Sequence, residues 1–265
     1  AMRAHLGLDL PPLQRWWHYL GQILQGDLGQ SLVQARPVAE LIAERLPATL
    51  HMAAVAFAVV VALALPLGIL AARHKGGAID QAASVFALLG QSVPNFWLGP
   101  VLVLAFSIGL GWLPVSGTRA PGSVILPAFT LGISLAAVSM RMLRSSLLEI
   151  ASQDYLRTAR AKGAGEFRVA WRHALPNALL PVITLLGLQL GAQLAGAVIT
   201  EVVFAWPGIG SLLINAINKR DYPLIQGVVL VIAVSYVLVN LATDLLLQWL
   251  DPRLRGRPLW RESPS

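Results

Sequence analysis

Cysteine is absent from this 265-residue chain, which excludes a disulfide framework and a thiolate metal site. Charge is scarce as well: Asp, Glu, Lys and Arg make up 12% of the residues, against roughly 25% in an ordinary soluble domain. Catalytic signatures are missing too. No GxxxxGK followed by Ser or Thr occurs, so nothing offers the amides and lysine that cradle a nucleotide phosphate. There is no HExxH and no GxSxG, and His5, His18, His51, His74 and His173 show no paired ligand spacing. An enzyme or a metal site is not expected.

What the chain does have is hydrophobic length, with 56% apolar residues. Five stretches, 49–72, 82–110, 124–148, 178–204 and 223–250, reach the ~20 residues needed to cross a bilayer. Lipid offers no partner to a free backbone amide, so each is expected to be a helix and the fold all-α. Pro66, Pro94, Pro100, Pro127 and Pro181 remove donors inside these stretches and favour bends.

Basic residues give the orientation. If sides alternate, Arg73, Lys75, the 141–172 region and the tail after 250 share one side and hold 13 of the 20 Lys and Arg. That excess marks the cytoplasmic side. The net charge of +7 follows this topology rather than one soluble face, so no nucleic-acid partner is expected. Residues 1–47 are then periplasmic, 48–251 form the membrane domain with a cytoplasmic loop at about 149–176, and 252–265 are a cytoplasmic tail. The outer stretch lacks a signal-peptide pattern yet must be translocated, so a further helix is expected upstream. Within it, Trp16, Trp17 and Tyr19 suit a helix lying at the interface, either as a structural lip or in contact with solute.

The cytoplasmic loop reads EIASQDYLRTARAKGAGEFRVAWRHALPNALLPVITLLGLQ. Ser152 or Asp154 is placed to cap a short helix through Lys162, and Gly163 to end it in a left-handed conformation. A second short helix, 166–175, would complete a compact knob in which Ala159, Ala161 and Gly163 let a partner approach closely. The basic residues here equally suit anionic lipid headgroups. The spacing resembles the EAA loop of permease subunits of bacterial binding-protein-dependent ABC importers. Arg157, Thr158 and Ala159 take the places of Glu-Ala-Ala, Gly163 follows four positions later, and Leu175-Pro176 stand twelve and thirteen positions after that. Arg157 and Thr158 depart from the broad pattern, as does His173. The run DYLRTARAKG is similar to the dipeptide, oligopeptide and nickel branch. LPATLHMA, SVPNFWLG, TEVVFAWPGIGSLLINAINKRDYPLIQ and DPRLR extend the resemblance over nearly the whole chain.

The resemblance implies a type I importer transmembrane domain in the bacterial inner membrane, with six crossings in the native subunit and five here. It implies a second, related permease, two ATP-binding subunits and a periplasmic solute-binding protein as partners. ATP and magnesium would be bound by the ATPases, with no cofactor on this chain. Arg157, Thr158, Ala159, Arg160, Ala161, Lys162 and Gly163 would meet an ATPase groove. The solute would be a di- or oligopeptide, with glutathione or a nickel complex as alternatives. An ATP-independent channel or secondary transporter is the contrasting class, but it needs no EAA loop, and inverted repeats are not evident.

Polar residues in the crossings carry two readings each. Gln91, Ser92, Asn95, Gln189 and Gln193 either line a wet path or join helices. Glu201, with Trp206, Pro207 and Gly208, either forms a periplasmic gate or packs and caps the outer loop. Asp244 is read as structural ahead of solute contact. Gly187, Gly191, Ala192 and Gly196 have spacing that permits close helix approach.

Overall fold

A computed structural model describes residues 11–118 and 120–250. Among these the chain is helical apart from connecting loops and one isolated bridge between Gln30 and Pro37. The helices are α1 (Pro12–Leu24), α2 (Val38–Arg73), α3 (Ala78–Ser92), α4 (Asn95–Leu102), α5 (Ile125–Ala151), α6 (Asp154–Ala161), α7 (Leu175–Val203), α8 (Ile209–Asn218) and α9 (Tyr222–Leu250). The expected tail, 252–265, lies outside the described residues.

Among the described residues four helical spans are long and apolar enough to cross a membrane, and a bent pair makes a fifth if it is one span. The first, α2, starts at Val38, so the boundary expected at residue 47 falls inside a continuous helix. Its 36 residues span about 54 Å, well beyond the roughly 30 Å hydrocarbon core. Pro47 is tolerated because the outer turns are held by packing: Val38, Leu41 and Ile42 join Ile209, Leu212, Leu224 and Val228 in one buried cluster. The expected crossing 82–110 is broken. Its two halves meet at 108° at Val93-Pro94, where a proline disfavours helix in the residue before it. Beyond the break, α4 and a wider π-helical turn, Val103–Gly109, pack Leu102 against Leu126 and Phe204 near the outer ends of α5 and α7.

The core runs along α5, which packs against α2, α3 and α7. Small residues set these seams. Gly132 approaches α2 so closely that a Cβ there would lie 2.8 Å from the Ala56 carbonyl oxygen. Val60, Ala64, Ala83, Ala87, Ala136, Ala137 and Met140 fill the space between α2, α3 and α5. An ion pair ties the start of α3 to α5. Arg144 donates to both carboxylate oxygens of Asp80 at 2.5 and 2.7 Å, and Gly76 N–H adds a third bond at 2.8 Å. Asp80 is only 4% exposed.

Removing one member of such a pair strands the other, whereas removing both costs less. Asp80→Ala should therefore lower the unfolding midpoint of the detergent-purified subunit by roughly 5 °C or more. Asp80→Ala with Arg144→Met should recover much of that. Equal midpoints for the single and double variants would contradict a stabilising pair.

Candidate functional site

Three polar assemblies interrupt the apolar scaffold. The first is the knob between α5 and α7. Helix α6 begins at Asp154 with Gln153 at its N-cap, and no side chain caps it. Neither Ser152 nor Asp154 plays the expected role: the Ser152 hydroxyl instead donates to the Glu149 carbonyl at 2.7 Å, closing the end of α5. The C-terminus is as expected. Gly163 adopts φ +83, its N–H donates to the Arg160 carbonyl at 2.9 Å, and Ala164 N–H donates to the Ala159 carbonyl at 3.1 Å. These paired bonds make a Schellman cap.

The separate second helix expected at 166–175 does not form. A turn at Glu166–Arg168 continues through a π-helical segment, Val169–Ala174, directly into α7. Pro176 lacks an N–H for the carbonyl four residues back, which favours such a local rearrangement. The His173 carbonyl accepts bonds from the Asn177 side chain at 2.7 Å and the Tyr155 hydroxyl at 3.3 Å. Arg160 Nε donates to Glu166 Oε1 at 2.8 Å, and Leu156, Val169 and Ala174 form the knob's core. Arg157, Thr158, Arg160, Ala161, Lys162 and Gly163 are exposed, and Ala159 is half-buried. Beside them stand Phe167, 74% exposed, and Trp171, 50% exposed, with rings 5.9 Å apart.

The second assembly is the outer joint. Glu201 is fully buried. Its Oε1 accepts from the Thr49 hydroxyl at 2.6 Å and its Oε2 from Ser211 N–H at 2.9 Å, while Thr49 Oγ1 accepts from Ile209 N–H at 2.8 Å. Carboxylate and hydroxyl together cap the start of α8 and tie it to α2 and α7. A Cβ on Gly208 would overlap Glu201 Oε1. Trp206 Nε1 donates to the Ala48 carbonyl at 2.9 Å, and Trp206 and Pro207 line an outer cavity of about 720 Å³ with Glu44, Arg45 and His51. Of the gate candidates, Glu201 is thus a buried cap, while Trp206 and Pro207 reach the cavity wall. At the other end of α8, buried Asp221 accepts from the Ser31 hydroxyl and from Leu32 N–H at 3.1 Å, fastening the outer loop before α2.

The third assembly is the break between α3 and α4. Gln91 and Ser92 are exposed there and Asn95 is half-buried. Arg141 of α5 donates to Gln91 Oε1 at 2.5 Å. Gln189 and Gln193 are half-buried on α7, and among the described residues no hydrogen bond joins them to the break. Asp244 is exposed on α9. Gly187 packs against Thr243, close enough that a Cβ would overlap it, whereas Gly191, Ala192 and Gly196 lie outside the described side chains.

Asp221, the Asp80–Arg144 pair, Phe167 and Trp171 are not singled out by sequence reasoning. Asp221 sits in the quoted outer-loop run, but only the fold brings Ser31 to it. Phe167 and Trp171 are four residues apart, a spacing that puts both on one helical face.

Thr49 holds two buried groups at once, so Thr49→Ala should cost about 1–3 kcal/mol of stability. Thr49→Ser, which keeps the hydroxyl, should cost less than about 1 kcal/mol. Chemical unfolding of the two variants in detergent checks this, and equal losses would show that the hydroxyl is not the reason.

The chain matches the family described as binding-protein-dependent transport system inner membrane component over residues 64–256. It is 42% identical over 254 residues to the glutathione transport system permease protein GsiC of Escherichia coli strain K12, covering 96% of this chain and 83% of that protein. The protein of the same name from Salmonella choleraesuis strain SC-B67 is similar to the same extent. In fold, the inward-facing MetNI methionine ABC transporter is similar with a TM-score of 0.68 at 18% identity, over 80% of this chain and 96% of that one. An amino acid ABC transporter with histidines gives 0.58 at 18% identity, over 81% and 94%. The chain belongs to the family of binding-protein-dependent transport system inner membrane components, as a multi-pass permease subunit of an ABC importer in the bacterial inner membrane.

Proposed function

We propose that this subunit forms one half of an import path for short peptides, with glutathione as the first solute to test. The observation that carries this reading is the 42% identity, over 96% of the chain, to permeases named for glutathione transport. Di- and oligopeptides remain within the same reading, and a nickel complex is the contrasting cargo. ATP hydrolysis is assigned to two partner ATPase subunits that hold ATP and magnesium, and delivery to a periplasmic binding protein. A second, related permease completes the path.

The residues divide the labour as follows. Arg157, Thr158, Ala159, Arg160, Ala161, Lys162 and Gly163 dock into an ATPase groove, with Phe167 and Trp171 as an apolar anchor beside them. The continuous helical course from Glu166 to Val203 carries displacement of the knob to the outer joint, where Trp206, Pro207 and Gly208 move with Glu201 as a gate hinge. Gln91, Ser92, Asn95, Gln189 and Gln193 line the path. Support for the docking role is the knob's rigidity: both ends of α6 are hydrogen-bonded and its apolar face is buried.

Uptake by the full complex in proteoliposomes, with glutathione, dipeptides and a nickel complex offered in competition, tests the cargo. Glutathione or peptide uptake that requires ATP supports the reading, and nickel uptake alone overturns it. Docking is tested at Gly163, where added atoms meet open space but φ is positive. Gly163→Glu should cut ATP-coupled uptake by about tenfold or more and weaken ATPase association, with membrane insertion intact. Gly163→Asn, which tolerates this conformation, should stay within about threefold of wild type. Wild-type uptake and association in Gly163→Glu would reject the role.

A further inference from the structure

Charge counting groups Arg141 with the cytoplasmic basic residues, but its side chain turns back along α5 to Gln91, whose neighbour Gly90 packs against Ala137 and Ile133. The Asp80–Arg144 pair, bonded to Gly76 in the loop before α3, lies at the start of α3 and in the second half of α5, on the side that charge counting makes cytoplasmic. Arg141 lies about one turn deeper. Side chains on a helix lean toward its N-terminus, which in α5 is the outer end. Arg141 accordingly reaches Gln91, eleven residues and about 16 Å along α3 from Asp80. On that orientation the guanidinium lies deeper than the Asp80–Arg144 pair, beside the break after Ser92.

Its partner there is neutral. Arg144 is charge-compensated by a carboxylate, whereas Arg141 meets a carboxamide and, among the described residues, forms no ion pair within 4.0 Å. Arg141, Gln91 and Ser92 are all exposed on the subunit surface, beside the 108° break in the second crossing. An uncompensated charge and a broken helix at membrane depth are both tolerated where protein faces water rather than lipid. A guanidinium is also a planar fork that matches a carboxylate with two parallel bonds.

We propose that Arg141, positioned by Gln91, is an anion-recognition site in the solute path that receives a carboxylate of the imported solute. This rests on the short-peptide import reading, since free peptides and glutathione carry carboxylates.

The test is glutathione and peptide uptake by the full complex in proteoliposomes, with variants that separate charge from shape. Arg141→Gln removes the charge, and Gln91→Glu neutralises it in place. Each should lower uptake about tenfold to a hundredfold while co-purifying with the same partners. Arg141→Lys, which keeps the charge, should retain more uptake than Arg141→Gln. Gln91→Leu, which leaves the charge but removes the positioning bond, should lower uptake by less than Arg141→Gln does. Unchanged uptake in Arg141→Gln or Gln91→Glu overturns the site. Loss of the second permease from either variant overturns it in favour of a salt bridge between permeases. A wild-type complex that takes up no short peptide sinks the import reading itself, and the proposal with it.

Discussion

A bilayer offers no partner to a charge or an open backbone group, so each polar atom at depth must be answered by protein or by water. This constraint organises the subunit. Asp80 and Arg144 answer each other where α3 meets α5. Glu201 is answered by Thr49 and the first amides of α8, and Asp221 by the loop at Ser31. These knots fall at helix ends, and between them the contact is apolar and close, with small residues letting α2 and α3 lie against α5. At the break after Ser92, the Arg141 guanidinium is met by the Gln91 carboxamide rather than by a carboxylate.

The same economy shapes the cytoplasmic side. The knob is small, yet Leu156, Val169 and Ala174 give it a core of its own, and the Gly163 cap and the bonds to His173 fix its ends. Its outward surface is basic and aromatic. On the proposed reading, a push on α6 reaches α7 through the packing of Leu156 on Val169 and Ala174, beyond the turn at Gly163–Gly165. Helix α7 ends at the joint built on Glu201, so one helical course runs from the knob to that joint.

Much of this architecture is legible in the sequence because its strongest determinants are local. Hydrophobic length gives the crossings, and Pro94 marks where the second one bends. Gly163 ends α6 as its position suggests, since a helix terminus with a glycine is settled within a few residues. The start of α2 is not legible, because Pro47 looks like a boundary locally, while the packing that overrides it comes from α8 and α9, far along the chain. Ser152 does not cap α6 because the helix starts at Asp154 with Gln153 in the capping position, one residue beyond Ser152. The two readings of Glu201 separate only once Thr49, 152 residues away, is found donating to it. Arg141 escapes sequence reasoning for a related reason: charge counting assigns a residue to a side, whereas depth depends on which way the side chain leans.

The account turns most on the claim that the broken second crossing faces water. These 265 residues hold no cysteine, so labelling of a thiol introduced among them is read as the difference from the unsubstituted complex. Ser92→Cys in the assembled complex, treated in intact membranes with a charged, membrane-impermeant thiol reagent, should be labelled. Labelling should change when ATP is supplied, as the path opens to one side and then the other. An introduced thiol at this position that resists the charged reagent with and without ATP, yet reacts with a lipid-soluble one, would place the break against lipid and contradict the account.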